Sequence, residues 1–381
     1  MFRFGVRGFS KFIAPYTPRS WGSMWHPPGD ICKYVQQLLE AVTCLDDATT
    51  QPTALPVHSE LEEIWPTVWF WCRTLHEMNV WARMFNYKDD DRMRLDPAQH
   101  NKYECRTRHI VLLKALKSFA YHDPPTALSV LVNGTDGFTS LLAQLWIAEG
   151  KYPIWAEHAG KKEALCGFQA AGLLYSTSGA SSWSRDLINQ IISHCGGTQA
   201  AVNVLFQRAR QNLAQSVPCI KSFSIDMTFL NAQIINYGHE ENGDALRLAL
   251  LTHRQTIPFL VDILRALLIR GRGSQTDTEP LSLPLITIMV MFNQIDTFGM
   301  VAQLLDTQFL AVMAHVVPLC SAYNPDDVSK ACRDLLHILF PRYAVFRSLF
   351  VRMQRSLSRS GASFDIKYKP GGLAFESALA A

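Results

Sequence analysis

The chain has 381 residues, of which 48% are hydrophobic and 18% are charged, and its 36 basic residues are nearly balanced by 33 acidic ones. This composition provides enough apolar material for a folded core and excludes disorder as the dominant state. The net charge is only +3, whereas a specific nucleic-acid binder normally carries a strong or focused basic excess. We therefore predict no specific nucleic-acid partner.

Residues 1–29 form a basic N-terminal segment with no acidic residue. Its basic residues are Arg3, Arg7, Lys11 and Arg19. This charge pattern is typical of a mitochondrial transit peptide, but four prolines limit any amphipathic helix, so a flexible basic tail is the favoured interpretation. We expect an intracellular protein, cytoplasmic or nuclear, with a mitochondrial location as the alternative.

Cysteine spacing bears on both redox environment and metal binding. The nine cysteines are odd in number and widely spaced, which argues against a disulfide framework and fits a reducing compartment. No C-x-x-C pair occurs, so the paired ligands of a zinc finger or ribbon are missing. We predict no metal and no cofactor.

Apolar residues recur at helical spacing along the N-terminal half. The first predicted helix follows Asp30, and "SELE" at 59–62 matches a capping box that predicts a second helix start. Pro66 then either kinks that helix or begins another. Further helices are predicted over 106–121, 136–150 and 161–175, and Gly150 is a stop signal for the second of these.

Three tryptophans lie within seven residues, at Trp65, Trp69 and Trp71. On a helix, Trp65 and Trp69 share one side with Cys72, and Trp71 lies on the neighbouring side. The resulting wide apolar surface is typical of a helix packed between two neighbours. We expect all three indoles to be core residues, with a partner-binding groove or a ligand cage as alternatives.

The C-terminal half is organised as helix pairs that begin near residues 182, 242, 283 and 325. The last three are about 40 residues apart, which is in the range of armadillo and HEAT repeats. No strand pattern occurs, and the longest apolar run, 285–292, is too short to span a membrane. We predict an all-α fold, an armadillo/HEAT-like stack of irregular helix pairs over residues 30–360, and a poorly ordered tail over 361–381.

Catalytic signatures are lacking. "HEENGD" at 239–244 provides His239, Glu240 and Asp244, but Gly243 stands where a second zinc histidine would fall, and the stretch is predicted as a loop. A solvated turn is the favoured interpretation. If the chain is instead an enzyme of an unrecognised helical class, these three residues are its candidate polar site.

A basic, amphipathic helix is predicted over residues 342–359. Arg347, Arg352, Arg355 and Arg359 on this helix are candidate residues for binding a partner. An ordinary amphipathic outer helix of the array is the favoured interpretation, and partner binding is the alternative.

Three stretches together resemble fungal MYND-finger proteins. These are "IWPTVWFWCRTLHE", "LALLTHRQTIPFLVDILRAL" and "LLHILFPRYAVFRSLFVRMQRSL", and the resemblance spans roughly residues 30–360, the helical region that precedes the finger. It implies a helical protein-interaction region without transferable catalytic residues. The zinc ligands of the finger have no counterpart here, so the resemblance implies a finger-less or truncated member. We therefore expect a non-catalytic scaffold that binds a protein or peptide in a helical groove.

Overall fold

A computed structural model describes residues 34–39, 55–81, 109–117, 119–120, 127–151, 185–214, 220–235, 245–271, 279–292, 297–323, 334–335, 342–343 and 345–359. Almost all of these residues are helical, and no β-strand occurs among them. The predicted all-α fold is confirmed for this part of the chain. The predicted helix over 161–175 and the predicted domain boundaries at 29/30 and 360/361 lie outside the described residues.

The helices of the N-terminal half are α1 (Leu55–Trp81), α2 (Ala127–Asn133), α3 (Phe138–Lys151) and α4 (Arg185–Cys195). They are followed by α5 (Thr198–Ala214), α6 (Ile220–Ile235), α7 (Ala245–Thr252), α8 (Thr256–Gly271), α9 (Glu279–Phe292), α10 (Thr297–Asp306), α11 (Phe309–Tyr323) and α12 (Arg347–Arg359). The chain divides into two compact units. Unit 1 comprises Met1–His194 with Gln215–Ser222, and unit 2 comprises Cys195–Ala214 with Phe223–Ala381.

The tryptophan-rich helix α1 supplies the core of unit 1. Trp65 and Trp71 are at most 2% exposed, and the Trp65 ring lies 5.2 Å from the Phe119 ring, centroid to centroid. The Trp65 Nε1–H donates a hydrogen bond of 2.8 Å to the Thr135 hydroxyl, which satisfies the polar end of the buried indole. Trp69 stacks on Trp65 at 5.8 Å but is only half-buried, so it lies at the edge of the core.

Helix α1 differs from the sequence prediction at its start and at Pro66. It begins at Leu55, so the predicted capping box at 59–62 lies inside it. It also continues through Pro66 without ending. An interior proline costs about 3 kcal/mol, whereas burying two tryptophans contributes roughly 2–3 kcal/mol each. Packing on both sides of the proline therefore outweighs the lost backbone hydrogen bond.

In unit 2, α8 packs against several neighbours, namely α5, α7, α9, α10 and α11. Its sequence is apolar on most sides, as a helix surrounded by others requires. Phe259 of α8 is fully buried and stacks on Phe206 of α5, with the ring centroids 4.1 Å apart. Helix α12 packs on α10 and α11.

Two breaks between helices have local causes. Gly196 and Gly197 end α4 at positive φ angles of 83° and 128°, which glycine adopts without steric cost. Helix α10 ends at Asp306 and α11 begins at Phe309, although the sequence has neither glycine nor proline between them. There, the Thr307 hydroxyl accepts a hydrogen bond from the Phe309 N–H, so it caps α11 at the expense of the continuous helix.

Candidate functional site

The predicted site residues fall into two groups. His239, Glu240 and Asp244 lie outside the described residues, as does the Arg359 side chain. Arg347, Arg352 and Arg355 are described, and the structure places them on different sides of α12. Arg347 lies about 140° around the helix axis from Arg352, because successive residues turn by about 100°. The arginines predicted as one partner-binding set are therefore not one cluster.

Helix α12 is held by a narrow buried stripe. Leu349 is fully buried, and Met353 and Ser356 are at most 9% exposed. On one flank of this stripe, Arg352 forms an ion pair with Asp306 of α10. The Arg352 side chain therefore links α12 to α10.

The other flank of α12 exposes aromatic rings. Phe346 and Phe350, one helical turn apart, are each 47% exposed, and Val345 before them is 79% exposed. Phe346 packs edge-on against Phe298 of α10 at 5.4 Å and lies 6.3 Å from the Tyr343 ring. We call this surface the aromatic–arginine face, and its residues are Phe298, Arg342, Tyr343, Val345, Phe346, Arg347 and Phe350.

The aromatic–arginine face contains two arginines, Arg342 and Arg347. Arg342 and Arg347 are exposed and form no ion pair or hydrogen bond with any residue in the described ranges. Arg347 precedes Phe350 by three residues, so the two side chains are neighbours on the helix surface. The face therefore combines exposed positive charge with half-exposed aromatic rings.

The sequence predicts an amphipathic helix over 342–359 but does not say which of its apolar residues face inward. The structure begins α12 at Arg347, later than the predicted residue 342, and Val345 and Phe346 lie in a turn before it. Among the described residues of α12, the buried ones are Leu349, Met353 and Ser356. The exposed arginine between two phenylalanines was the sequence signal for the outward flank.

A second polar site lies in unit 1, where α1, α3 and α4 contribute one chain of hydrogen bonds. His76 of α1 donates from Nε2 to the Gln144 Oε1 of α3, over 3.0 Å. The Gln144 amide nitrogen lies 3.3 Å from the Ser140 hydroxyl and 3.4 Å from the Nε2 of His194. Ser140 Oγ and His194 Nε2 are 2.8 Å apart.

Burial controls the charge of His76. Desolvation lowers its pKa from the ordinary value of 6.5 to about 4, the hydrogen bond to Gln144 opposes this shift, and the nearby His109 and His194 add to it. His76 is therefore neutral at pH 7. Sequence reasoning missed this site because its four residues come from three helices that are distant in sequence.

Two further buried polar groups serve packing. In unit 1, His109 lies 3.1 Å from the Glu149 carboxylate, and both side chains are at most 3% exposed. In unit 2, Asp226 accepts hydrogen bonds from Arg208 at 3.1 Å and from Asn212 at 2.9 Å. Both groups are almost completely buried, so we assign them to the cores of their units.

The residues that the structure describes contain no group of three or more His, Cys, Asp or Glu side chains that could hold a metal ion. Over the same residues, none of the helices is both long and apolar enough to cross a bilayer. Comparison of the chain with family models, with curated proteins and with solved structures finds no match.

Proposed function

We propose that this protein is an interaction scaffold, and that its aromatic–arginine face binds an acidic, amphipathic segment of a partner protein. The observation that carries the proposal is the combination of half-exposed Phe346 and Phe350 with two exposed arginines, Arg342 and Arg347, that pair with no carboxylate in the described ranges. Exposed aromatic groups with an adjacent arginine are the residue types that dominate binding energy at protein interfaces.

The apolar part of this face provides binding energy. A buried phenylalanine removes about 150–250 Å² from water, so covering the exposed half of one ring contributes roughly 2 kcal/mol at about 25 cal/mol per Å². Two such rings contribute about 4 kcal/mol. Association itself costs about 4–15 kcal/mol in lost freedom, so the aromatic contacts alone do not suffice and a second source of affinity is needed.

Charge supplies that second source and selects the partner. Carboxylates that approach Arg342 and Arg347 would form charge-assisted hydrogen bonds, which arginine favours through its planar, forked geometry. An isologous contact with a second copy would place these arginines near their symmetry mates, which is repulsive. The occupant that satisfies both features is a segment with apolar residues on one side and Asp or Glu beside them.

The scaffold that presents this face is proposed to be an armadillo/HEAT-like stack. In support, α7 packs on α5 and α8, and α8 packs on α9, so that helices close in sequence form layers in unit 2. The resemblance to the helical region of MYND-finger proteins, without the finger, is compatible with an intracellular protein-interaction role. We extend that role to this chain as part of the proposal.

The test uses fluorescence anisotropy of a labelled 16-residue peptide that has Leu and Phe at helical spacing and Asp or Glu elsewhere. A matched peptide with Lys in place of every acid is the charge control. We expect the acidic peptide to bind with micromolar affinity that weakens as salt is added, and the basic peptide not to bind.

Variants separate this face from general stickiness. Phe350→Ser and Arg347→Glu should each weaken the acidic peptide at least 10-fold. Leu248→Ser on α7 removes another exposed apolar side chain, which is 60% exposed, and should leave affinity unchanged. Equal affinity for the two peptides, or equal effects of Phe350→Ser and Leu248→Ser, would refute the proposal.

A further inference from the structure

We infer that Ser140 of unit 1 is a base-activated nucleophile, with His194 as its general base, and that this pair accepts the acyl group of a small apolar carboxylic ester. All residues involved belong to unit 1. The inference is therefore independent of the interaction proposed for unit 2, and either one can fail without the other.

The hydrogen bonds run in one direction. His76 donates to the oxygen of Gln144, so the nitrogen of the same amide is turned toward Ser140 and His194. An amide nitrogen only donates, so its approach to the Nε2 of His194 at 3.4 Å assigns a lone pair to that ring atom. The Ser140 hydroxyl, 2.8 Å away, then donates its proton to Nε2. This is the arrangement of a serine nucleophile beside its base.

Access is available at this pair. Ser140 is half-buried and His194 is exposed, so a reagent reaches the hydroxyl from solvent. Ser140 also lies in the first turn of α3, where the helix dipole favours the negative charge that develops on the attacking oxygen.

An indole ring lies against Gly137, the residue three positions before Ser140. Gly137, Ser140 and Gln144 share one side of this region because they are three and four residues apart. A Cβ added at Gly137 would lie 3.8 Å from Cζ2 of the Trp69 indole. The half-buried Trp69 ring is thus near the end of the stripe that carries Ser140. It offers a surface for the apolar acyl part of an ester, and this choice of substrate class rests on it.

The reaction balances with these groups and water. Ser140 Oγ bonds to the ester carbonyl carbon while its proton passes to His194 Nε2, and the Gln144 amide N–H, 3.3 Å from Ser140 Oγ, is a donor beside the reacting atoms. The C–O bond to the alcohol then breaks, and the alcohol leaves with the proton from His194. Water attacks the acyl-serine by the same proton path, which releases the acid and restores the hydroxyl.

The second ring nitrogen of His194 determines how fast the pair can react. Within the described part of the chain, nothing accepts a hydrogen bond from Nδ1 of His194, so no carboxylate stabilises the imidazolium as in a serine–histidine–aspartate triad. We expect slow turnover, and covalent labelling of the serine is the more sensitive readout.

The experiment uses the full-length protein and a fluorophosphonate probe, which loses fluoride when a serine oxygen bonds to phosphorus. Peptide mass spectrometry locates the labelled residue. We expect labelling at Ser140, which Ser140→Ala abolishes. His194→Gln keeps a hydrogen-bond acceptor near the serine but removes the imidazole, and it should slow labelling at least 100-fold, the lower range of general-base effects. The control is Ser193→Ala, an exposed serine next to His194, which should label as the wild type does.

Chemical rescue distinguishes a base from a structural contact. Added imidazole should restore labelling in His194→Ala, because the site is open to solvent, and should have no effect on Ser140→Ala. Hydrolysis of p-nitrophenyl acetate should follow the same order. The inference is overturned if Ser140 is not labelled, if His194→Gln labels at the wild-type rate, or if imidazole fails to rescue a folded His194→Ala variant.

Discussion

Acid should destabilise unit 1 through His76. Burial lowers the pKa of this side chain from 6.5 to about 4, so between these values the unfolded chain binds a proton that the folded chain does not. The free energy of unfolding therefore falls as the pH drops below 6.5, and this decrease is complete near pH 4. Between pH 7 and pH 5 the free energy of unfolding decreases by about 2 kcal/mol, because each pKa unit corresponds to about 1.4 kcal/mol.

The perturbation that isolates this effect is His76→Gln, because glutamine can still donate to the Gln144 oxygen but does not titrate. All nine tryptophans of the sequence precede residue 184 and thus belong to unit 1. Urea unfolding followed by tryptophan fluorescence therefore reports on this unit. The free energy of unfolding of the wild type should fall by about 2 kcal/mol more than that of the variant between pH 7 and pH 5.

The comparison contains its own control, since the carboxylates of both chains titrate alike and cancel in the difference. Equal acid losses in the wild type and in His76→Gln would show that His76 is not desolvated in the folded protein. His76 would then not be a fixed donor to Gln144 in the hydrogen-bond network of unit 1.

Three more predictions follow from burial. Trp71→Ala should cost about 3–5 kcal/mol by tryptophan fluorescence, and Trp69→Ala should cost about 1–2 kcal/mol because that ring is half-buried; equal losses would contradict the assignment of Trp69 to the core edge. Asp226→Ala leaves a guanidinium buried without its carboxylate and should cost about 3–5 kcal/mol by far-UV circular dichroism, whereas Arg210→Ala breaks an exposed pair of 4.0 Å and should cost about 1 kcal/mol or less. Burial raises the pKa of the Cys72 thiol to about 12, so iodoacetamide should modify Cys72 only after unfolding, as read by peptide mass spectrometry; rapid modification of the folded protein would be the opposite result.

Helical periodicity predicted much of the fold because amphipathic spacing survives in any packing arrangement. The end of α3, within one residue of Gly150, followed directly from apolar spacing and the glycine signal. Periodicity failed where a single side chain decides the backbone path. Pro66 is tolerated inside α1 because of tertiary packing, and the Thr307 hydroxyl separates α10 from α11 where the sequence has neither glycine nor proline.

Neither candidate site could be read from the sequence in full. Arg347 was predicted as a partner-binding residue together with Arg352. To separate the two, one must know which side of α12 is packed, and the sequence does not give this. The exposure of Phe350 depends on the same information. The network of unit 1 joins residues up to 118 positions apart, from His76 to His194. Local sequence patterns do not predict contacts between residues so distant in sequence.

The central claim is that the aromatic–arginine face binds an acidic, amphipathic segment. Its most direct test is a photo-crosslinking amino acid placed at position 350 in the cell, with position 248 as the control, followed by mass-spectrometric mapping of the crosslinked partner peptide. We expect the crosslinked peptide to come from another protein, to be rich in Asp or Glu and to have apolar residues at helical spacing. Crosslinking should occur only from position 350, and Arg347→Glu should abolish it. Crosslinking to a second copy of this chain, to a basic or nucleic-acid partner, or equally from position 248, would contradict it.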